Sequence, residues 1–234
     1  MKFRINEEIL KDYPDLFIGI VVAHEFDNSG KNEEIEQLLK SVQEDVRREF
    51  AGVDLAQHHH ILPWRETYAK FGAKSRDYRC SSEALLRMVL SGRDLRHINT
   101  LVDLYNYISL KYILTLGGED LDTMKGDLVL AYANGDEQFI PLGSDANDPP
   151  KPGEVVYKDD VGVICRRWNW REGDRTKLTE STKNTVLVAE GLPPIERSVV
   201  ENATKELAEL VEKYCGGETG VEFLDKGKPE VTLL

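Results

Sequence analysis

A group of stacking and cationic side chains lies between Cys165 and Arg171, where the sequence reads Cys-Arg-Arg-Trp-Asn-Trp-Arg. Arginine guanidinium groups bind carboxylates and phosphates, and they stack on indole rings. The segment therefore favours a binding surface for a planar or anionic ligand. The alternative is a buried tryptophan pair with arginines packed over it. If the segment continues as a strand, Trp168 and Trp170 share one face and Asn169 takes the other.

Three carboxylates and an amide form a second set of candidates. Glu119, Asp120 and Asp122 follow a glycine pair, in what the composition predicts to be a hinged loop. Carboxylates at this spacing can bind a divalent cation or act as general acid and base, although a solvated turn has the same composition. Asn106 and Ser109 lie three positions apart on a predicted helix, so they share a face.

A run of three histidines, His58 to His60, raises the question of a metal site. Adjacent residues do not share a face on a helix or a strand, and zinc ligands are usually about two to four residues apart. The three cysteines are distant from one another, at positions 80, 165 and 215. We therefore expect no metal, no cofactor and no disulfide framework, which favours a reducing cytoplasm as the location.

The chain has 234 residues and a formal net charge of −12, and no apolar run approaches the length of a membrane span. So acidic a chain is unsuited to indiscriminate nucleic-acid binding, and we expect no membrane and no DNA partner. Basic residues are nevertheless concentrated in two segments. Residues 64–79, which end at Arg79, carry five basic and two acidic side chains, and residues 161–183 carry six and three. A local basic face is compatible with this distribution.

Apolar spacing and capping residues predict an α+β protein. The predicted helices begin at Asn32, Trp64, Ser81 or Ser82, Thr100 and Ser198. The predicted strands cover residues 16–23, 127–133, 138–142, 154–157, 161–166, 184–190, 221–224 and 231–234. We also expect a capping box formed by Thr100 and Asp103, and a hairpin turn at Asn134–Gly135. We find no internal repeat or linker, so residues 1–234 are expected to form a single unit.

The order of several motifs resembles the B3/B4 domain, the editing and tRNA-binding region of the phenylalanyl-tRNA synthetase β subunit. The motifs are Leu101–Asn106, Ser109-Leu110, Gly118–Asp122, Gly126-Asp127, Gly153–Tyr157 and Arg167–Arg171. The resemblance is to the free-standing bacterial and archaeal members, which lack the rest of the synthetase. It covers residues 68–190, and residues 1–67 and 191–234 are expected to be integral flanking elements.

The resemblance implies a single B3/B4-like domain with mixed and antiparallel sheets flanked by helices. In the synthetase this domain is implied to hydrolyse tyrosine wrongly esterified to phenylalanine tRNA. The motif that carries a Thr-Asn pair there keeps the Asn as Asn106, whereas Tyr105 replaces the Thr. The following loop offers Glu119 and Asp120 where the synthetase has a pocket histidine. The resemblance thus implies a catalytic set of Asn106, Glu119 and Asp120.

Together with the basic segment that ends at Arg79, the resemblance gives an expected set of substrate-binding residues, which are Ser109, Arg79, Arg167, Trp168, Asn169, Trp170 and Arg171. They would hold a tRNA 3′ end or its aminoacyl-adenosine moiety, with a base or side chain stacked on an aromatic ring. The first hypothesis is a trans-acting hydrolase of mischarged aminoacyl-tRNA rather than a complete synthetase. The second is a non-catalytic module that binds tRNA, an amino acid or a nucleotide. The third is a metal-dependent hydrolase that uses Glu119, Asp120 and Asp122. The sequence leaves the oligomeric state open.

Overall fold

The computed structural model describes residues 1–74 and 76–233, and its elements alternate between two β-sheets and a set of helices. The strands are β1 (Lys2–Ile5), β2 (Phe17–His24), β3 (Thr115–Asp120), β4 (Leu128–Tyr132), β5 (Val155–Lys158), β6 (Val163–Arg166), β7 (Arg171–Glu172), β8 (Asn184–Gly191), β9 (Glu218–Leu224) and β10 (Glu230–Thr232). The helices are α1 (Glu7–Asp12), α2 (Glu33–Glu49), α3 (Leu62–Lys70), α4 (Ser81–Leu90), α5 (Thr100–Tyr112) and α6 (Arg197–Cys215), with a 3-10 turn at Leu55–Gln57.

The first sheet has the strand order β10-β1-β4-β5-β6-β7, and the second has the order β3-β8-β2-β9. In the first sheet β1 and β4 are parallel and the other neighbours are antiparallel, so this sheet is mixed. The second sheet is antiparallel throughout. The expected α+β fold with mixed and antiparallel sheets is confirmed.

Strand β2 shows why the second sheet lies in the middle of the molecule. Its side chains alternate between two hydrophobic cores. Ile18 and Ile20 pack toward the first sheet, whereas Phe17 and Val21 pack toward α5 and α6. A strand buried on both faces reads as a continuous apolar run, which is the pattern that predicted this strand. No helix among residues 1–74 and 76–233 is long and apolar enough to cross a membrane.

The start of α5 differs from the predicted capping box. Asn99 is the N-cap, and its side chain accepts a hydrogen bond from the Val102 amide at 3.0 Å. Asn is among the strongest N-cap residues. With Asn99 as the cap, Thr100 is the first residue of the helix, whereas a Thr100 cap would have made Leu101 the first. Asp103 instead contacts the imidazole of His97 at 2.6 Å. The expected pairing of Thr100 with Asp103 is therefore wrong.

The predicted hairpin at Asn134–Gly135 does not form either, and residues 138–142 are not a strand in this structure. Strand β4 pairs with β5 instead, with Tyr132 opposite Val155. The carboxylate of Glu137 accepts hydrogen bonds from the amides of Asn134 and Gly135, both at 2.9 Å. The Glu137 side chain thus takes the backbone N–H groups of the turn, which a returning strand was expected to pair with.

Candidate functional site

A cavity of about 730 Å³ lies between the facing sides of the two sheets, where α4 and α5 also contribute walls. This volume is typical of sites that bind small molecules. Asn106, Glu119 and Trp168, which come from a helix, a strand and a connecting segment, all line it. The structure therefore brings together residues from the three motifs that the sequence singled out separately.

Strand alternation decides which acidic residues face the cavity. Glu119 pairs with Val186, and Thr115 pairs with Glu190, across the antiparallel ladder of β3 and β8. Residues two apart on a strand point to the same side, so Glu119 and Glu190 share the cavity face. Asp120, the next residue along, pairs with Thr185 and points to the opposite face.

Asp120 consequently lies outside the cavity, contrary to the expected catalytic role. The segment that was predicted as a loop is strand β3, and adjacent strand residues point apart. One Asp120 oxygen accepts the Thr182 hydroxyl at 2.6 Å, and the other accepts the Asp122 amide at 3.0 Å. These contacts fix the end of β3, which makes the role of Asp120 structural.

The three carboxylates proposed as a metal-dependent centre also diverge. The Asp122 side chain accepts a hydrogen bond from the Asn184 amide group at 2.8 Å, away from Glu119. Within the part of the chain that the structure describes, no group of three or more His, Cys, Asp or Glu side chains has a metal-binding arrangement. The geometry gives the metal-dependent hypothesis no support.

Helix α5 presents Val102, Tyr105 and Asn106 to the cavity, at the spacing that places residues on one helical face. The Asn106 amide forms no hydrogen bond to any residue in the described ranges, so it can meet a ligand. Ser109 lies one turn further and does not line the cavity. Its hydroxyl donates to the Leu114 carbonyl at 2.7 Å, which ends the helix instead of binding a substrate.

Glu119 faces a second acid, the half-buried Glu172 of β7, which also lines the cavity. The two carboxyl groups lie within hydrogen-bonding distance of each other, and we call them the acid pair. Glu119 Oε2 and Glu172 Oε1 are shielded from solvent, and neither has a donor among the described residues. Two ionised carboxylates cannot donate a hydrogen bond to each other, so the hydrogen bond between Glu119 and Glu172 requires a proton on one of them.

The environment of the acid pair raises both pKa values. Burial, and then the charge of Glu172, holds the pKa of Glu119 well above its usual range. Burial raises the pKa of Glu172 to about 7, against a smaller opposing effect of its hydrogen bond with Glu119. Burial and the neighbouring carboxyl group thus both favour the protonated form of Glu119. A carboxyl with a pKa near 7 is suited to general acid–base catalysis.

Glu172 was not among the residues singled out from the sequence. The available signal was its position directly after Arg171, at the end of the Trp-rich segment. Its partner Glu119 lies 53 positions earlier, as the two residue numbers give, and only the pairing of sheets brings the two together. No local spacing rule could have matched them.

The Cys165–Arg171 segment does not continue as a strand. Arg167 and Trp168 have φ angles of 48° and 66°, and this left-handed turn directs the Trp168 ring into the core. Trp168 is fully buried and packs edge-on against Trp64, with ring centroids 5.2 Å apart. The expectation that Trp168 and Trp170 share a strand face is wrong, because a left-handed turn separates them.

Trp168 and Asn169 bind a protein carboxylate, that of Glu190, at the inner end of the cavity. The indole Nε1 donates to Glu190 Oε1 at 2.6 Å, and the Asn169 amide donates to Oε2 at 2.8 Å. The Tyr157 hydroxyl also donates to Oε1 at 2.5 Å, and Thr115 contacts Oε2 at 3.3 Å. Burial raises the pKa of Glu190, although these donors oppose the rise. This network forms a rigid inner wall.

Two arginines of the Cys165–Arg171 segment have different environments: Arg167 is buried and Arg171 is exposed. The Arg167 guanidinium lies between the rings of Tyr78 and Trp170, at 3.8 and 4.4 Å from their centroids, and burial lowers its pKa. Arg167 does not line the cavity, whereas Trp170 and Arg171 do. Arg171 is exposed and donates to the Leu142 carbonyl at 3.2 Å. Two of the expected substrate-binding residues, Trp170 and Arg171, are thus placed to contact a ligand.

Arg79 lies outside the cavity, before α4, where its Nε is 3.8 Å from a carboxylate oxygen of Glu83. It shares this carboxylate with Arg65 and Arg87, at 2.7 and 2.8 Å. Arg79 therefore belongs to a separate surface cluster and does not reach the acid pair.

Comparison with known proteins places this geometry in a family context. Residues 63–216 match the family model described as the B3/4 domain. The phenylalanine–tRNA ligase beta subunit of Psychrobacter arcticus is 33% identical over 108 residues, which cover 46% of this chain and 13% of that protein. The corresponding subunit of Bartonella quintana is 29% identical over 170 residues, covering 62% of this chain and 21% of that protein. The chain thus spans about a fifth or less of these relatives.

A solved structure resembles the chain over most of its length. It is an N-terminal fragment of the phenylalanyl-tRNA synthetase beta subunit from Pyrococcus horikoshii, with 14% sequence identity and a TM-score of 0.46. The match covers 93% of this chain and 49% of that fragment.

Proposed function

The chain belongs to the B3/4 domain family, and from this premise we propose that it hydrolyses the ester bond between a wrongly attached amino acid and its tRNA. The observation that carries the proposal is the acid pair, Glu119 and Glu172, on the wall of a cavity of small-molecule size. The relatives are named as tRNA ligase subunits, which supports an aminoacyl-tRNA as the substrate.

Ester hydrolysis needs a base for water and an acid for the leaving group, and the acid pair supplies both. The ionised carboxylate of the pair takes a proton from water, and the water oxygen bonds to the ester carbonyl carbon. The bond from that carbon to the ribose oxygen then breaks, and the protonated carboxyl gives its proton to the leaving oxygen. The products are a free amino acid and a tRNA with a free terminal ribose hydroxyl.

Asn106 is the donor best placed to support this step. Its amide lines the same cavity and is not engaged by the described residues, so it can donate to the oxyanion that forms when water attacks. Gly117 lines the cavity on the same strand face as Glu119, and it has no side chain that would obstruct a carbonyl group. We therefore propose that the attack takes place between α5 and β3.

The charge of the cavity fits an aminoacyl group with a free amine. Its lining includes five acidic residues and two basic ones, Arg171 and Lys177. An ionised carboxylate of the lining attracts an α-ammonium group, and the two basic residues can meet the anionic tRNA end. An aminoacyl-tRNA has an α-ammonium group next to its ester and phosphates further along, which matches the acidic and basic residues of the lining.

A panel of mischarged tRNAs tests the proposal. We expect the protein to release the amino acid from at least one of them above the buffer rate. The Asn106→Ala variant should release it about 10²- to 10³-fold more slowly while still binding uncharged tRNA, because the amide acts on the oxyanion. No release from any member of the panel at high protein concentration would reject the proposal.

A non-catalytic binding module is the second candidate. The Glu190 network favours it, since four donors that are all engaged by one carboxylate make a preorganised wall. Equilibrium binding of tRNA, free amino acids and nucleotides separates the two candidates. Tight binding of one of them without any turnover would favour the module.

A further inference from the structure

Three arginines converge on one buried carboxylate at the surface formed by α3 and α4. Arg65 Nη1 and Arg87 Nε lie 2.7 and 2.8 Å from Glu83 Oε1, and Arg79 Nε lies 3.8 Å from the same oxygen. The Glu83 side chain has no solvent exposure. We call Arg65, Arg79 and Arg87 the arginine cluster.

The arginine cluster has more positive charge than its single carboxylate can neutralise. The side chains of Arg79 and Arg87 are 42% and 41% exposed, so both can reach a ligand in solution. Elsewhere on the surface an exposed arginine can have a carboxylate to itself, as Arg48 has in Asp45. Residues 65–87 carry six basic and three acidic side chains in a protein whose net charge is −12. Guanidinium groups held together repel one another, and an added anion relieves that repulsion.

The arginine cluster adjoins the mouth of the cavity. Ala84 of α4 is exposed and lines the cavity, and Arg87 lies three residues further along the same helix. Residues three apart on a helix are neighbours, with about 5–6 Å between their Cβ atoms. A molecule whose end enters the cavity beside Ala84 can therefore extend over Arg87.

We propose that the arginine cluster binds the phosphate backbone of the RNA whose aminoacylated end enters the cavity. This inference rests on the proposed function. The planar guanidinium group matches the phosphate group with two parallel hydrogen bonds, and exposed arginines at a fixed spacing suit successive phosphates. The otherwise acidic surface repels RNA, so contact is concentrated at this site.

The salt dependence of RNA binding tests the inference without any need for turnover. The experiment measures the affinity of uncharged tRNA at several salt concentrations for the wild-type protein and for Arg79→Gln/Arg87→Gln. Each lost phosphate contact lowers the slope of log affinity against log salt by roughly 0.7–0.9. We expect the slope of the double variant to fall by about 1.5 and its affinity to fall at least tenfold at low salt.

The matched control is Lys40→Gln/Arg48→Gln, which removes two exposed cations from α2. This control should keep the wild-type slope. An equal loss in both double variants, or no loss in the cluster variant, would overturn the inference. If Arg79→Gln/Arg87→Gln does not fold, Arg79→Gln alone replaces it, because Arg65 and Arg87 still neutralise Glu83. A drop in slope of about 0.8 is then expected, and an unchanged slope overturns the inference.

The inference and the proposed function fail in different ways. If tRNA binding depends on the arginine cluster but no tRNA is deacylated, the inference holds and the proposed function fails. If tRNA is deacylated and the cluster variant shows the wild-type KM for it, the inference fails alone. A raised KM for aminoacyl-tRNA, with unchanged hydrolysis of a short aminoacyl ester of adenosine, supports both.

Discussion

The carboxyl group of Glu172 lies beside that of Glu119, and burial brings its pKa to about 7. At the scale of single residues, the Glu172 carboxyl is the proposed base for ester hydrolysis. A base must be ionised to take a proton from water, so its pKa sets the pH range in which the protein acts.

The first prediction concerns the pH dependence of deacylation. The wild-type rate should rise as pH increases through about 7, because Glu172 loses its proton there. Glu172→Gln should lower the rate about 10²- to 10⁴-fold and remove this dependence. Initial rates between pH 5.5 and 8.5 provide the measurement. The control is Asp174→Asn, which lies two residues away on the same cavity wall and should keep the wild-type profile.

The same pKa shift predicts how stability depends on pH. The folded protein holds the Glu172 proton more tightly than the unfolded chain, whose carboxyl has a pKa near 4.5. The contribution of Glu172 to stability is therefore complete below about pH 4.5 and is lost as pH rises to about 7. Urea unfolding should show Glu172→Gln more stable than wild type at pH 8, by on the order of 3 kcal/mol, with the difference vanishing near pH 4.5. A difference that is independent of pH would contradict this account.

At the scale of elements, α5 carries one residue that faces the cavity and one that ends the helix. Ser109 donates to the Leu114 carbonyl from a buried position, and Ile113 closes the helix in a left-handed conformation. We predict that Ser109→Ala lowers the free energy of unfolding by about 1–3 kcal/mol, because it leaves a buried carbonyl without its donor. Deacylation by the folded variant should be unchanged. Asn106→Ala should lower the deacylation rate and leave the free energy of unfolding nearly unchanged. A large loss of activity in Ser109→Ala would show instead that Ser109 acts in the site.

Much of the element order could be predicted from apolar spacing, and β2 is the clearest case. Strand β3 could not, because its two glycines are typical of a loop. Position 118 is glycine for a packing reason instead, because a Cβ there would lie 2.4 Å from a methyl carbon of Leu187 on β8. Glycine inside a strand can mark such a close approach. Reading β3 as a loop is also what placed Glu119 and Asp120 on the same side.

Only the part of the candidate site that depends on local sequence patterns could be predicted. Asn106 and Glu119 were found from residue type and spacing and again from the motifs that resemble a known family, and both line the cavity. The inward turn of Trp168 depends on two residues with positive φ, which arginine and tryptophan adopt rarely. The partnership of Glu119 with Glu172 depends on contact between two sheets. Neither feature leaves a local pattern in the sequence.

At the scale of the whole molecule, the two ends of the chain are part of the sheets. Strand β1 pairs with β10, and β2 lies between β8 and β9 in the second sheet. The family match at residues 63–216 leaves out all of β1, β2, β9 and β10. We therefore propose that the chain folds as one unit, with the flanking segments integral to it.

A truncated chain tests this proposal. We predict that residues 63–216 alone do not fold cooperatively, because the second sheet loses its central strand and the core loses Ile18 and Ile20. Urea unfolding followed by circular dichroism compares this fragment with the full chain. A sharp unfolding transition in the fragment, with a midpoint close to that of the full chain, would show that the flanking segments are dispensable.

The central claim is that the acid pair hydrolyses an aminoacyl ester. The most direct measurement is the single-turnover release of an amino acid from mischarged tRNA by the wild-type protein and by Glu119→Gln/Glu172→Gln. The account predicts release above buffer by the wild type and release at the buffer rate by the double variant, with tRNA affinity preserved. Equal rates of release by the two proteins would contradict the claim.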